Sequence, residues 1–133
     1  MEYINGGDLL FNMDSQPRFE ETRAKFYFAE LVLALEYLHK HGIVYRDVKP
    51  ENILIDSEGH IRLCDFGLAR SGVDGSAEVA TSVAGTTEYM APEIIQTGQY
   101  GFSVDWYSAG LVLYEMITGV NPFKTKTGMS PFE

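Results

Sequence analysis

The chain has 133 residues, enough for one domain with its own core, and its 45% apolar and 22% charged content is that of an ordinary globular protein. A net charge of −9 argues against nucleic acid as a partner, which needs a basic face, and suits metal ions or a basic peptide. The single cysteine, Cys64, excludes an intrachain disulfide and gives no sign of secretion. The longest apolar run, Leu31 to Leu35, is far too short to span a membrane, so no membrane partner is expected. The acidic start Met1-Glu2-Tyr3 lacks a signal-peptide pattern, and a cytoplasmic location, or a nuclear one, is expected.

In chain order, Met1 to Gly7 reads as an extended stretch turning at Asn5-Gly6-Gly7. Asp8 is placed to cap a short helix over Leu9 to Met13, because its carboxylate can accept orphan N–H bonds. After the break at Ser15-Gln16-Pro17, a long helix is predicted over about Glu21 to His41. Phe26, Ala29, Leu33 and Tyr37 form its apolar stripe, widened by Leu31, Leu35 and Leu38. Glu20 and Glu21 suit the positive end of its dipole; His39, Lys40 and His41 suit the negative end, and Gly42 stops it.

Short strands are predicted at Gly42 to Val44, and at Ile53 to Ile55 and Ile61 to Leu63 around the turn Asp56 to His60. Ser71 to Ala84, rich in Gly, Ser and Ala, reads as a mobile loop. A second apolar helix runs from Ser103 to Thr118, with Ser103 or Asp105 near its start and Gly119 after its end. Lys124 to Glu133 carries no recognisable element.

Three motifs follow one another. Tyr45-Arg46-Asp47-Val48-Lys49-Pro50-Glu51-Asn52 packs a carboxylate, an ammonium and a carboxamide into eight positions, and its proline disfavours plain helix. Asp65-Phe66-Gly67 and Ala91-Pro92-Glu93 come later. In this order they resemble the catalytic part of a eukaryotic protein kinase. The resemblance implies an α+β fold, the mostly helical large C-terminal lobe of a kinase with short β-hairpins and without the N-terminal lobe, over residues 1–133. It implies transfer of the γ-phosphate of ATP to Ser or Thr of proteins, with Mg2+. Asp47 would accept the hydroxyl proton and Lys49 would neutralise the transferred phosphoryl group. Asn52 and Asp65 would hold magnesium, and Gly67 would permit the turn that aims Asp65 inward. Met1 would guard the back of the adenine pocket, Glu2 and Ile4 would bond the adenine edge, Asp8 would reach the ribose and Leu54 would floor the ring.

Tyr45 in place of the more usual histidine, together with Gly85 to Glu93, is similar to the AGC group of serine/threonine kinases. Lys49, two residues after Asp47, agrees with serine/threonine rather than tyrosine kinases. Ser82 stands where that group carries an activating phosphate, added by an upstream kinase, and phosphoserine there could pair with Arg46. Thr81 is a second candidate, since the group more often has threonine and often has cysteine where this chain has Ala84. Asp8, Glu51 and Glu115 match positions that read arginines preceding the target hydroxyl, implying substrates with Ser or Thr near basic residues. Asp105 resembles a buried aspartate holding the catalytic loop, with an ordinary helix cap as its plainer role. Glu93 resembles an acid paired with a distant arginine. Cys64 reads as a buried spacer facing the phosphate pocket.

The chain lacks the family's glycine-rich loop, its nucleotide lysine and that lysine's glutamate partner, and the last helices. Little or no kinase activity and limited stability are therefore expected of the chain by itself. The alternative is a truncated, non-catalytic module that binds partners or competes for substrates. The intact set Asp47, Lys49, Asn52 and Asp65 favours the catalytic reading.

Overall fold

The computed structural model describes residues 6–73, 78–79 and 86–124. Its architecture is α+β and mostly helical. The elements are α1 (Leu9–Ser15), α2 (Glu21–Lys40), β1 (Ile53–Ile55), β2 (Ile61–Leu63), β3 (Glu78–Val79), α3 (Pro92–Thr97), β4 (Gln99–Tyr100) and α4 (Ser103–Thr118), with 3-10 turns at Pro50–Asn52 and Thr87–Tyr89. Among the described residues no helix is long and apolar enough to cross a membrane.

Helix α1 starts as its sequence predicts: the Asp8 carboxylate accepts the Phe11 N–H at 2.8 Å. Helices α2 and α4 end at left-handed Gly42 and Gly119, whose N–H groups bond the carbonyls of His39 and Glu115. These two helices pack on each other and α2 packs on β2, enclosing a core that includes Leu9, Leu31, Leu35, Ile53, Val112 and Met116. A second cluster, with Val44, Val73, Met90, Ile94, Tyr100 and Val104, sits under α3. The loop carrying Asp47 runs between the two clusters, with Val44 buried in one and Val48 in the other.

The predicted stripe on α2 is corrected. Ala24, Tyr27, Leu31 and Leu35 face the core, while Phe26, Leu33 and Tyr37 are 46%, 64% and 64% exposed and Ala29 is exposed too. Apolar residues surround this helix on nearly every side, so periodicity offers two faces; packing against α4 selects one.

Strands β1 and β2 pair antiparallel in the register Ile53↔Leu63, Leu54↔Arg62, Ile55↔Ile61. Ile53 and Ile55 point inward and Leu54 lies half-buried, the two-residue alternation of a strand. Asp56 closes the hairpin by accepting the N–H groups of Glu58 and His60 at 2.9 and 3.0 Å. The strand expected at Gly42 to Val44 reduces to one bridge between Val44 and Arg70. Within the segment predicted as loop, Glu78 and Val79 instead pair with Tyr100 and Gln99. Helix α3 was not foreseen: six residues are too few to show a period.

Candidate active site

The site begins with a buried anion. Asp105 lies in the first turn of α4 with no exposed surface, and it caps nothing. Its carboxylate accepts the N–H of Tyr45 at 2.9 Å, the N–H of Arg46 at 2.8 Å and Nε2 of His39 at 2.7 Å. A full negative charge at no exposure is tolerable only when its lone pairs are occupied in this way. The loop is thereby hung from α4 on one side and braced by α2 on the other. Arg46 is held at φ 67, a left-handed backbone that a non-glycine residue adopts only when its surroundings over-determine it.

Asp47 follows at once and is 6% exposed. Asn52 Nδ2 donates both to the Asp47 carboxylate, at 2.8 Å, and to the Asp47 carbonyl, at 2.9 Å. The 3-10 turn at Pro50–Asn52 folds the chain back far enough for this contact across five residues. Lys49 Nζ stands 3.6 Å from the other Asp47 oxygen and donates to Thr86 Oγ1 at 2.9 Å. Both donor hydrogens of the Asn52 carboxamide are thus used. Its Oδ1, on a side chain 5% exposed, finds no donor among the described residues. An orphaned buried carboxamide oxygen is a hard ligand in search of a cation.

The structure links the Asp65 motif to this loop through the backbone. Cys64 N–H donates to the Asn52 carbonyl at 3.0 Å, and the buried Tyr45 hydroxyl donates to the Cys64 carbonyl. The Phe66 ring packs edge-on against Tyr45, centroids 5.3 Å apart. Burial raises the Tyr45 hydroxyl well above its usual range, so it remains a donor. Asp65 itself is exposed and sits at φ 56. Its Oδ1 accepts the Gly67 N–H at 3.2 Å and makes no direct bond to Asp47 or Asn52. The expected reason for Gly67 is therefore corrected. The left-handed turn belongs to Asp65; a Cβ on Gly67 would stand 3.2 Å from the Asp65 carboxylate, a tight approach from which that exposed side chain must give by a few tenths of an ångström. No group of three or more acidic, histidine or cysteine side chains among the described residues is close enough to hold a metal ion by itself. Magnesium takes one or two protein ligands with phosphates and water, and the oxygens of Asn52 and Asp65 are of the type it takes.

Cys64 is half-buried rather than enclosed. Burial first, then the carboxylates of Asp65, Asp8 and Asp47, push its thiol up. Asp8 bridges to Leu54, which lies half-buried on β1. Glu51 is exposed at the start of the 3-10 turn.

Glu115 lies 9% exposed on α4 and accepts the Tyr89 hydroxyl. A cavity of about 420 Å³ opens beside it, lined by Leu10, Met13, Asp14, Pro17, Val120, Asn121 and Lys124 among others. Burial raises the Glu115 carboxyl; Tyr89 and Lys124 oppose this, and Glu51 and Asp14 reinforce it. Arg46, the expected phosphate partner, donates to the Leu68 carbonyl and, at 2.7 Å, to the Tyr100 hydroxyl. Glu93 stands in the first turn of α3. Met1, Glu2, Ile4, Thr81, Ser82, Ala84 and Gly85 lie outside the described residues, as does all of the final segment beyond Lys124.

Sequence reasoning missed His39, Thr86, Tyr89 and Tyr100. His39 had been given only a dipole role; its true partner is 66 positions away, and no local pattern announces it.

Comparison with known proteins agrees with this geometry. The family model described as Protein kinase domain matches residues 1–133. Protein kinase C of Drosophila melanogaster is 50% identical over 124 residues, covering 93% of the chain and 17% of that relative. Protein kinase C epsilon type of Oryctolagus cuniculus is 47% identical over 133 residues, all of the chain and 18% of that relative. RAC-beta serine/threonine-protein kinase of Rattus norvegicus is 48% identical over 133 residues, all of the chain and 27% of that relative. The chain spans well under a third of these relatives' own lengths. With the family model matched from end to end and the Asp47, Asn52 and Lys49 contacts in place, the chain belongs to the protein kinase domain family, and the relatives it resembles are AGC kinases of the protein kinase C and RAC types.

Proposed function

We propose that the chain carries the phosphoryl-transfer site of an ATP-dependent protein serine/threonine kinase. The observation that carries this reading is the bonded pair Asp47–Asn52 with Lys49 at 3.6 Å, on a loop suspended from a fully buried aspartate. Phosphoryl transfer demands position and charge more than covalent chemistry. Asp47 accepts the proton of the substrate hydroxyl and aims its oxygen. Lys49, steadied by Thr86, offsets charge on the transferred group. Asn52 Oδ1 and the Asp65 carboxylate would hold Mg2+, which would supply positive charge to the phosphate oxygens. The linker places ATP: Glu2 and Ile4 at the adenine edge, Asp8 at the ribose, Leu54 beneath the ring. Ser82 is a site for an upstream kinase, its phosphate pairing with Arg46 and drawing it from Tyr100.

The substrates are proteins with Ser or Thr downstream of arginine. Glu115, with Asp14 beside it on the cavity wall and the charge of Glu51 felt there, supports this preference. A buried carboxylate whose ionised form is disfavoured gains most from an arriving guanidinium. The test is transfer from ATP to serine peptides with and without upstream arginine, assayed in the intact protein. Glu115→Gln is expected to lower kcat/KM for the arginine peptide roughly 10- to 100-fold and leave the arginine-free peptide unchanged. Equal loss on both peptides would remove Glu115 from substrate reading. The same variant is expected to melt higher at pH values above the raised pKa of Glu115, where the wild-type carboxylate is ionised at a burial cost that glutamine avoids. Because the folded pKa is raised, the wild type recovers as it protonates, so the gain disappears as pH falls through that value toward the ordinary glutamate range.

A further inference from the structure

The described part of the linker, Gly6 to Asp8, is held by backbone bonds on one side. Gly6 N–H donates to the Ile55 carbonyl at 3.0 Å, and Ile55 N–H donates to the Gly7 carbonyl at 2.9 Å. The approach is so close that a Cβ on Gly6 would stand 2.2 Å from the Ile55 oxygen. On the other side the Asn12 N–H donates to the Asp8 carbonyl at 3.2 Å, the first bond of α1, and the Asn12 side chain supplies the rest. Asn12 Nδ2 donates to the Gly6 carbonyl at 3.0 Å and to the Asp8 carbonyl at 2.9 Å. Its Oδ1 accepts Arg23 Nη2 at 3.4 Å. Two acceptors on the nitrogen side and a guanidinium on the oxygen side fix the orientation of the carboxamide.

Arg23 is itself fastened. It donates to Gln16 Oε1 at 2.8 Å and to the Tyr27 hydroxyl at 3.3 Å, and its guanidinium lies 4.1 Å above the Phe19 ring. Three interactions anchor it to the chain between α1 and α2 and to α2 itself. Through Asn12 this rigid point reaches the linker.

We propose that Asn12, backed by Arg23, is a positioning residue for the nucleotide: it fixes the linker carbonyls and, through them, the Asp8 carboxylate. This rests on the reading of the linker as the adenine and ribose site. Asp8 Oδ1 is already committed to capping α1, so the direction of its second oxygen follows the linker's geometry. Asn12 pins the two carbonyls that set it.

Two variants separate its parts. Asn12→Ala removes every side-chain bond and leaves the main-chain bond from residue 12 to the Asp8 carbonyl. Asn12→Asp keeps the shape and strengthens the Arg23 contact, but it puts an acceptor against both carbonyls. Amide hydrogen exchange in the 133-residue chain reads the linker directly. At Gly6 and Ile55 both variants are expected to exchange about tenfold faster, with α4 unchanged. Steady-state kinetics in the intact protein then read the consequence: the KM for ATP rises about fivefold while kcat stays within about twofold. Unchanged exchange at Gly6 and Ile55, or an Asn12→Asp variant that behaves as wild type, overturns the proposal. Faster exchange with an unaltered KM for ATP overturns it too. If the wild-type intact protein binds no ATP, the nucleotide reading of the linker fails. The exchange arm alone then decides whether Asn12 holds the segment.

Discussion

Asp105→Ala is expected to cost about 3–5 kcal/mol of folding stability, the largest effect of any single substitution considered. The residue has no exposed surface and serves three donors: the Tyr45 and Arg46 N–H groups and the His39 ring. Alanine supplies no acceptor. Two buried backbone donors are stranded at about 1–3 kcal/mol each, and the imidazole loses its partner as well. Against a domain stability of about 5–15 kcal/mol, that removes much of the margin. Urea melts followed by circular dichroism check it. Asp105→Asn is the graded control, since it keeps one acceptor oxygen but turns an NH2 toward a donor, so it falls between alanine and wild type. An alanine variant within 1 kcal/mol of wild type, by these same melts, would show that the loop is held by something else.

Asp47→Asn is expected to act on turnover and spare the fold. An asparagine oxygen can still accept Asn52 Nδ2, so the pair persists. What disappears is the base and the anion beside Lys49. Loss of a positioned general base lowers kcat by about 10²–10⁴. Assayed in the intact protein with a serine peptide, kcat falls by that factor while ATP binding and the melting midpoint stay near wild type. A variant that keeps its turnover would remove Asp47 from the transfer step.

Much of this was legible in the residues. The Asp8 cap, the hairpin around Asp56 and the glycine stops of α2 and α4 are local events, set by side chains within a turn of the backbone they serve. The grouping of Asp47, Lys49 and Asn52 is likewise short-range, because a 3-10 turn brings position 52 back to 47. What escaped was decided by distant partners. Which face of α2 turns inward depends on α4, and two stripes on one helix look alike until that neighbour is known. Glu78 and Val79, inside the stretch that reads as loop, find their partners 22 and 20 positions away on β4. The His39–Asp105 contact joins a residue that looked like a dipole partner to one that passed equally for a cap. The strain in the Asp65 motif sits on the aspartate, where a sequence reader gives the left-handed turn to the glycine two positions on.

On the proposed reading, Asn52 and Asp65 face one nucleotide-bound cation beside Asp47. Paramagnetic broadening in NMR spectra of the chain, on adding Mn2+ with ATP, reports this arrangement. The Asn52 side-chain amide and the backbone amides of Asp65 to Gly67 are expected to broaden first, and Asp65→Asn is expected to weaken the effect at all of them together. Broadening centred elsewhere, or indifferent to replacement of both Asp65 and Asn52, would contradict it.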